Sequence, residues 1–339
     1  MNNALSEMLS TIDVILADGA TGTNLFQMGL AAGDAPELLN SSEPSKITKL
    51  YKIAVNAGCD LFLTNTFGGN AARLKLHNAQ NHVHKLNRIG AEIGREIVDK
   101  GNRKIIVAGS VGPTGEILKP VGELSHQLAV EMFHEQADGL KTGGADVLWL
   151  ETISAPEELK AAVEAFALTG MPWVGTMSFD TAGRTMMGVT SIAMSEMIQN
   201  LEFPPVAYGA NCGTGSADIL RTILAMTTHD NKYPIISKGN AGIPKYVDGN
   251  IFYDGTPELM ADYAELARNA GARIIGGCCG TTGTHLKKMR EALDQRPKGS
   301  RPTLEEVTAR LGGFSSESDG TNHTNEEGKT RERRRRRRD

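Results

Sequence analysis

Eight short apolar runs rich in β-branched residues, each bounded by turn residues, recur along the chain. They read VILADG from Val14, DLFLTNTFG from Asp60, KIIVAGSVGP from Lys104, DVLWLET from Asp146, MPWVGTMSFD from Met171, PVAYGANCG from Pro205, YPIISKGNAG from Tyr233 and ARIIGGCCG from Ala272. Most intervals between them carry helix-period stretches, such as SKITKLYKIAVNAG, APEELKAAVEAFALTG and TPELMADYAELARNAG. Ser45, Ser125 and Thr256 stand where helix N-caps are expected, with Pro257 at a first helical position. Continuous apolar strands alternating with amphipathic helices are expected to form a parallel sheet covered by helices. Eight such units predict an α/β fold, a single-domain (β/α)8 TIM barrel over residues 1–298. An open doubly wound sheet is the competing architecture. It would usually show a Gly-rich nucleotide fingerprint after its first strand, and DGATGT has the wrong spacing for one.

A barrel places its chemistry at the C-terminal ends of its strands. Distinctive residues fall there: Asp18 and Gly19, Asn65 to Phe67, Ser110, Glu151, Ser178, Asn211 with Cys212, Lys238 with Asn240, and Cys278 with Cys279. Three of the four cysteines share this rim. Side chains alternate along a strand, so Cys278 and Cys279 can face one centre only if the backbone bends, which Gly276, Gly277 and Gly280 permit. Cys212 ends the sixth run, and barrel curvature carries it toward the same mouth. Three soft thiolates without redox-motif spacing suit Zn2+, and three protein ligands leave a fourth position open, as in a catalytic site. The other reading of the residues is that small cysteines fill a crowded glycine-rich turn and Cys212 packs as an apolar residue. Cys59, in NAGCD, is expected in the core.

The remaining composition narrows the setting. The start of the chain lacks a basic leader, and no run approaches the roughly 20 apolar residues of a membrane span, so the expectation is a cytoplasmic protein with reduced cysteines and no membrane partner. Formal charge is −4 overall, yet residues 331–339, RERRRRRRD, hold seven arginines, so the body is acidic and only the tail basic. Residues 299–314 could form a short helix through RPTLEEVTARLGGF. Residues 315–339 read as disordered from their Gly, Ser, Glu and Asn content. Such an Arg run can bind nucleic acid or anionic surfaces, but nothing in the body continues a basic patch, so no specific nucleic acid is expected.

DGATGT after the first run, TNTFGGN after the second, GSVGPTGE after the third, LET after the fourth, GANCG after the sixth and GGCCGT after the eighth resemble, in order, the homocysteine S-methyltransferase family. That family includes betaine and S-methylmethionine enzymes and the homocysteine module of cobalamin-dependent methionine synthase. The resemblance extends from about residue 12 to 295. It implies a Zn2+ site on Cys212, Cys278 and Cys279, with methyl transfer to the sulfur of homocysteine giving methionine. No catalytic residue is then required beyond the activated substrate thiolate. The resemblance also implies that Glu151, helped by Asp18, receives the substrate ammonium, and that backbone amides around Gly19 and Thr66 meet its carboxylate. Read from the residues alone, Asp18 could instead cap a turn and Glu151 pair with a cation. Asn211 is expected to support the loop before Cys212.

A betaine or sulfonium donor carries an onium charge that aromatic faces stabilise. Phe26 and Phe67 are the rim candidates, since Trp149 and Trp173 lie inside strand runs. Glycine betaine or a similar onium compound is the expected donor, with S-methylmethionine or a methylcorrinoid partner protein as alternatives. The animal betaine enzyme has a tyrosine directly after the glutamate, and Thr152 stands here. The chain shows no D-x-H-x-x-G cobalamin signature and no room for folate and cobalamin modules, so a corrinoid is expected to arrive on another protein.

Overall fold

A computed structural model describes residues 3–228, 232–247 and 250–320. All eight predicted runs are strands: β1 (Ile15–Leu16), β2 (Leu61–Leu63), β3 (Ile106–Val111), β4 (Val147–Ile153), β5 (Trp173–Met177), β6 (Ala207–Cys212), β7 (Ile235–Gly239) and, after a hairpin of β8 (Pro244–Val247) and β9 (Asn250–Tyr253), β10 (Ala272–Gly277). The parallel order β1-β10-β7-β6-β5-β4-β3-β2 makes an eight-stranded (β/α)8 TIM barrel, closed except for a ladder between β1 and β2. That seam is bridged by a single backbone bond, from the Asp60 amide to the Leu16 carbonyl at 2.8 Å, and by two side chains. Asp60 accepts from the Leu16 amide at 3.0 Å, and Asp18 accepts from the Leu63 amide at 2.8 Å.

Alternation along the strands sorts the interior into layers. The floor is apolar, with Ile15, Leu61, Ile106, Val147, Trp149, Val174, Ala207, Ile236 and Ile274 packed together. The helix Ala4–Thr11 seals it from below with Leu5, Met8 and Leu9. Two residues beyond Ala108, Trp149, Val174 and Ile236 of this floor, the inward positions turn polar at Ser110, Glu151, Thr176 and Lys238, all buried. The larger core lies between sheet and helices; it takes Trp173 and Cys59, while Trp149 belongs to the floor, so neither tryptophan reaches the rim.

Ser125 and Thr256 cap their helices, accepting from Leu128 and Leu259, and Pro257 occupies a first position as expected. Ser45 does not cap. The helix Pro44–Asn56 begins one residue earlier, because Pro44 has a fixed φ and no N–H to satisfy and takes the first position.

The predicted short helix is Leu304–Leu311, capped by Thr303, and it buries Val307 and Leu311 in the outer core. Residues 315–320, expected to be disordered, are ordered against the barrel. The Ser315 amide donates to Asp218 at 3.1 Å, Arg221 donates to the Ser316 carbonyl at 2.9 Å, and the Arg221 guanidinium lies 4.4 Å from the centre of the Phe314 ring. The buried Asp218–Arg221 pair thus supplies the order that composition does not show. The strap continues to Gly183, where an added Cβ would meet Asp319 at 2.2 Å. The Arg-rich run lies outside the described residues. Among the described residues, no helix is long and apolar enough to cross a membrane.

Candidate metal centre

Three local conformations bring the cysteines together. Cys212 ends β6 with φ +62°, in the left-handed region that disfavours side chains, and Gly213 follows at φ +69°. The Cys278 amide extends the ladder to the Gly239 carbonyl at 2.7 Å. The chain then turns sharply, with the Thr281 amide bonding the Cys278 carbonyl at 3.1 Å and Gly280 at φ +79°. This is the bend that neighbouring cysteines need to face one point. All three sulfurs lie within 4.8 Å of one another, and Cys212 Sγ is 4.0 Å from Cys279 Sγ. Four-coordinate zinc with Zn–S near 2.3 Å sets its sulfurs about 3.8 Å apart. The three side chains therefore fit such an ion without rebuilding the backbone.

Sulfur hydrogen bonds couple the three thiols. Donation from Cys212 and Cys278 holds the Cys279 thiol well below the usual range, while Cys212, as a donor to both neighbours, is pushed above it.

Asn211 is hydrogen-bonded to two neighbouring strand ends. Its Oδ1 accepts from the Thr152 amide at 2.9 Å and the Thr176 hydroxyl at 2.7 Å, and its Nδ2 donates to the Thr152 hydroxyl at 2.8 Å. Thr152 is itself left-handed at φ +62°, so Asn211 fastens two strained strand ends. The bridge between the two cysteine loops is Asn240: its Nδ2 donates to Gly213 O at 2.9 Å and its Oδ1 accepts from the Cys279 amide at 3.1 Å. Among the strand-end residues, sequence reasoning gives Asn240 no role.

Beneath the sulfurs sits a buried charge cluster. Lys238 Nζ is 2.6 Å from Asp18 Oδ1 and 5.3 Å from the centre of the Trp149 ring. Lys238 lies on β7 in register with Asn211 on one side and Gly276 on the other. Asp18 therefore has one oxygen on Lys238 and the other on the seam. Glu151 accepts from the Ser110 hydroxyl through Oε1. Burial lifts its carboxyl to about 7, with Lys238 opposing and the Cys278 charge reinforcing the shift.

The other expected residues are spread along the rim. The Thr66 amide is taken by Thr64 O at 2.9 Å, whereas the Gly19 amide has no acceptor among the described residues. Gly19 lies so close to Thr281 that an added Cβ would stand 2.8 Å from its carbonyl oxygen. Phe67 is half-buried, packed where a Cβ on Gly112 would strike its ring at 2.6 Å. Phe26 is 51% exposed on the helix Gly22–Gln27. Tyr253 is a site residue that sequence reasoning misses. The β8–β9 hairpin brings it onto Gly280, beside Cys279. A signal exists: KYVDGNIFY pairs two alternating segments around Asp-Gly, a strong short-range hairpin pattern.

Comparisons with known proteins agree with this geometry. Methionine synthase from Mycobacterium leprae is 29% identical over 315 residues, 88% of this chain and 26% of that protein. Methionine synthase from Mycobacterium tuberculosis is 29% identical over 296 residues, 83% of this chain and 24% of that protein. The chain thus spans about a quarter of the length of these relatives. The crystal structure of the homocysteine methyltransferase MmuM from Escherichia coli, oxidized form, superposes with a TM-score of 0.71 at 23% identity, covering 86% of this chain and 99% of that one. Its metallated form gives 0.70 at 22% identity, covering 85% and 99%. These structures share the barrel. The sequence pattern of homocysteine S-methyltransferases matches residues 15–293, nearly the whole described barrel, and the chain belongs to the homocysteine S-methyltransferase family.

Proposed function

We propose that this protein is a zinc-dependent homocysteine S-methyltransferase that forms methionine. The observation that carries the reading is the convergence of the Cys212, Cys278 and Cys279 sulfurs within 4.8 Å at the mouth of a barrel of this family. That a metallated form of the E. coli homocysteine methyltransferase exists supports a metal in the same place.

A free thiol with a pKa near 8.5 is only about 3% thiolate at pH 7, and the thiolate is the nucleophile. Zn2+ held by the three cysteines would keep the incoming thiol deprotonated, removing a cost of about 2 kcal/mol. No histidine base is then needed. In the transfer, a sulfur lone pair of homocysteine forms the new S–CH3 bond as the donor's C–N bond breaks, its electrons returning to a nitrogen that loses its positive charge. The product thioether is neutral and leaves readily.

The chain's own groups orient the substrate. Glu151, with Oε2 unengaged among the described residues, takes the ammonium. Asp18 contributes charge nearby while pinned by Lys238 and the seam. The Gly19 amide meets the carboxylate, with the Thr66 loop beside it. Asn211 holds the rim at its two left-handed residues. Phe67, half-buried at the rim, and Phe26 present aromatic faces to an onium group, which supports glycine betaine or a related compound as donor. A donor screen tests the reading. Purified protein should carry about one zinc per chain and form methionine from homocysteine with glycine betaine alone. Zinc-free protein with full activity would overturn the mechanism, and activity only with S-methylmethionine or a methylated corrinoid protein would replace the donor.

A further inference from the structure

The segment that follows β7 holds one cysteine by its amide and its carbonyl and lays a tyrosine beside it. Asn240 Oδ1 accepts from the Cys279 amide at 3.1 Å, and the Ala241 amide donates to the Cys279 carbonyl at 2.9 Å. At the far end of the segment, Tyr253 packs on Gly280, the residue next to Cys279, with its phenol on the side of the Cys279 sulfur. The approach is built into the backbone. A Cβ on Gly280 would stand 2.4 Å from Tyr253 Cβ, so the ring occupies space that only glycine leaves free. The base of the hairpin is fastened too. The Gly255 amide donates to Ala241 O at 2.9 Å, and His285 Nε2 bonds Gly255 O at 2.9 Å. Cys278, by contrast, has Asn211 Nδ2 at a long 3.9 Å from its sulfur.

We propose that Tyr253 is a positioning residue of the metal centre, its hydroxyl donating to the Cys279 thiolate so that the β8–β9 hairpin forms one wall of the site. This inference rests on the zinc reading above. A hydrogen bond to a ligating thiolate fixes the direction of its lone pair and withdraws electron density from it. The metal then receives less charge from Cys279 and binds an incoming thiolate more strongly. Unlike a general base, the phenol gives up no proton.

Partners of this kind change metal affinity by about 10- to 100-fold. In competition with a chelator, Tyr253→Phe should hold Zn2+ about tenfold less tightly than the wild type. In protein loaded with Co2+, the sulfur-to-cobalt charge-transfer band should move to longer wavelength, because a sulfur freed from a donor is more easily oxidised. Loss of packing alone would not produce that shift. Phe252→Ala, on the same hairpin at a position 57% exposed, should match the wild type in both measurements. Tyr253→Phe indistinguishable from wild type in both would overturn the proposal, as would an equal effect of Phe252→Ala. A wild-type protein that takes up neither metal overturns the zinc reading itself, and this one with it.

Discussion

Strands β6, β7 and β10 run for five or six residues each and are hydrogen-bonded side by side, whereas β1 and β2 offer two and three residues and meet through one backbone bond and two side chains instead of a ladder. The first sector carries the three cysteines on its ends. The second carries Asp18 and Gly19 on one side of the seam and Thr66 on the other. Metal ligation tolerates little positional error, so a laddered wall suits it. An amino acid head group needs unpaired backbone donors and carboxylates, and a wall without a ladder leaves such groups at its strand ends. The two sectors communicate through Lys238, which stands on the laddered side and pins Asp18 on the seam side.

The sharpest break in this division is Cys279→Ser. Zinc should be lost, and methionine formation should fall by about 30-fold or more, as the thiolate fraction near pH 7 alone implies. Retention of stoichiometric zinc in that variant would remove the laddered sector from the chemistry. Next comes the seam. Asp60→Ala leaves the Leu16 amide without its acceptor and Arg103 and Arg290 without their shared carboxylate, so a loss of about 2–4 kcal/mol in urea unfolding is expected. The folded variant should keep its zinc. If it does not, the two sectors are not independent.

Asn240→Ala tests the opposite side. It removes the link between Gly213 O and the Cys279 amide and should weaken zinc binding by about tenfold, read by chelator competition. The smallest expected effect belongs to Glu151→Gln, with KM for homocysteine rising about tenfold, the loss of one charge-assisted hydrogen bond, and zinc content unchanged. Burial holds the Glu151 carboxyl near 7, so the free enzyme carries it protonated below that pH and ionised above it. Hence kcat/KM for homocysteine should climb through about pH 7 in the wild type, and Glu151→Gln should lose that limb.

The laddered sector is the more legible of the two in the sequence. Each of its strands is a short apolar run closed by glycines, with isoleucine pairs in β7 and β10, and the pattern of cysteines flanked by glycine at such ends is enough to put them on one rim. The seam is not legible, because Asp60 and Asp18 there replace a ladder that the apolar runs of β1 and β2 have the composition to form. Asn240 is visible as a strand-end residue, but its partners Gly213 and Cys279 come from other loops, and no local pattern assigns it to bridge them. The same holds for Lys238, 220 positions from Asp18 in the chain. Residues 315–320 have linker composition and owe their order to Asp218 and Arg221, whose own spacing on the helix Ser216–Met226 looks like an ordinary surface pair.

The strap that runs from Phe314 to Gly320 has a practical corollary. It ends against the segment around Gly183, and on the way the Ser315 hydroxyl meets Thr214, two positions past Cys212. Residue 320 thus stands on the cysteine-bearing side of the barrel, while the helix Ala4–Thr11 caps the opposite end. A fluorophore attached within residues 315–320 would therefore sit beside the cysteine rim, whereas one on the helix Ala4–Thr11 would sit at the far end of the barrel.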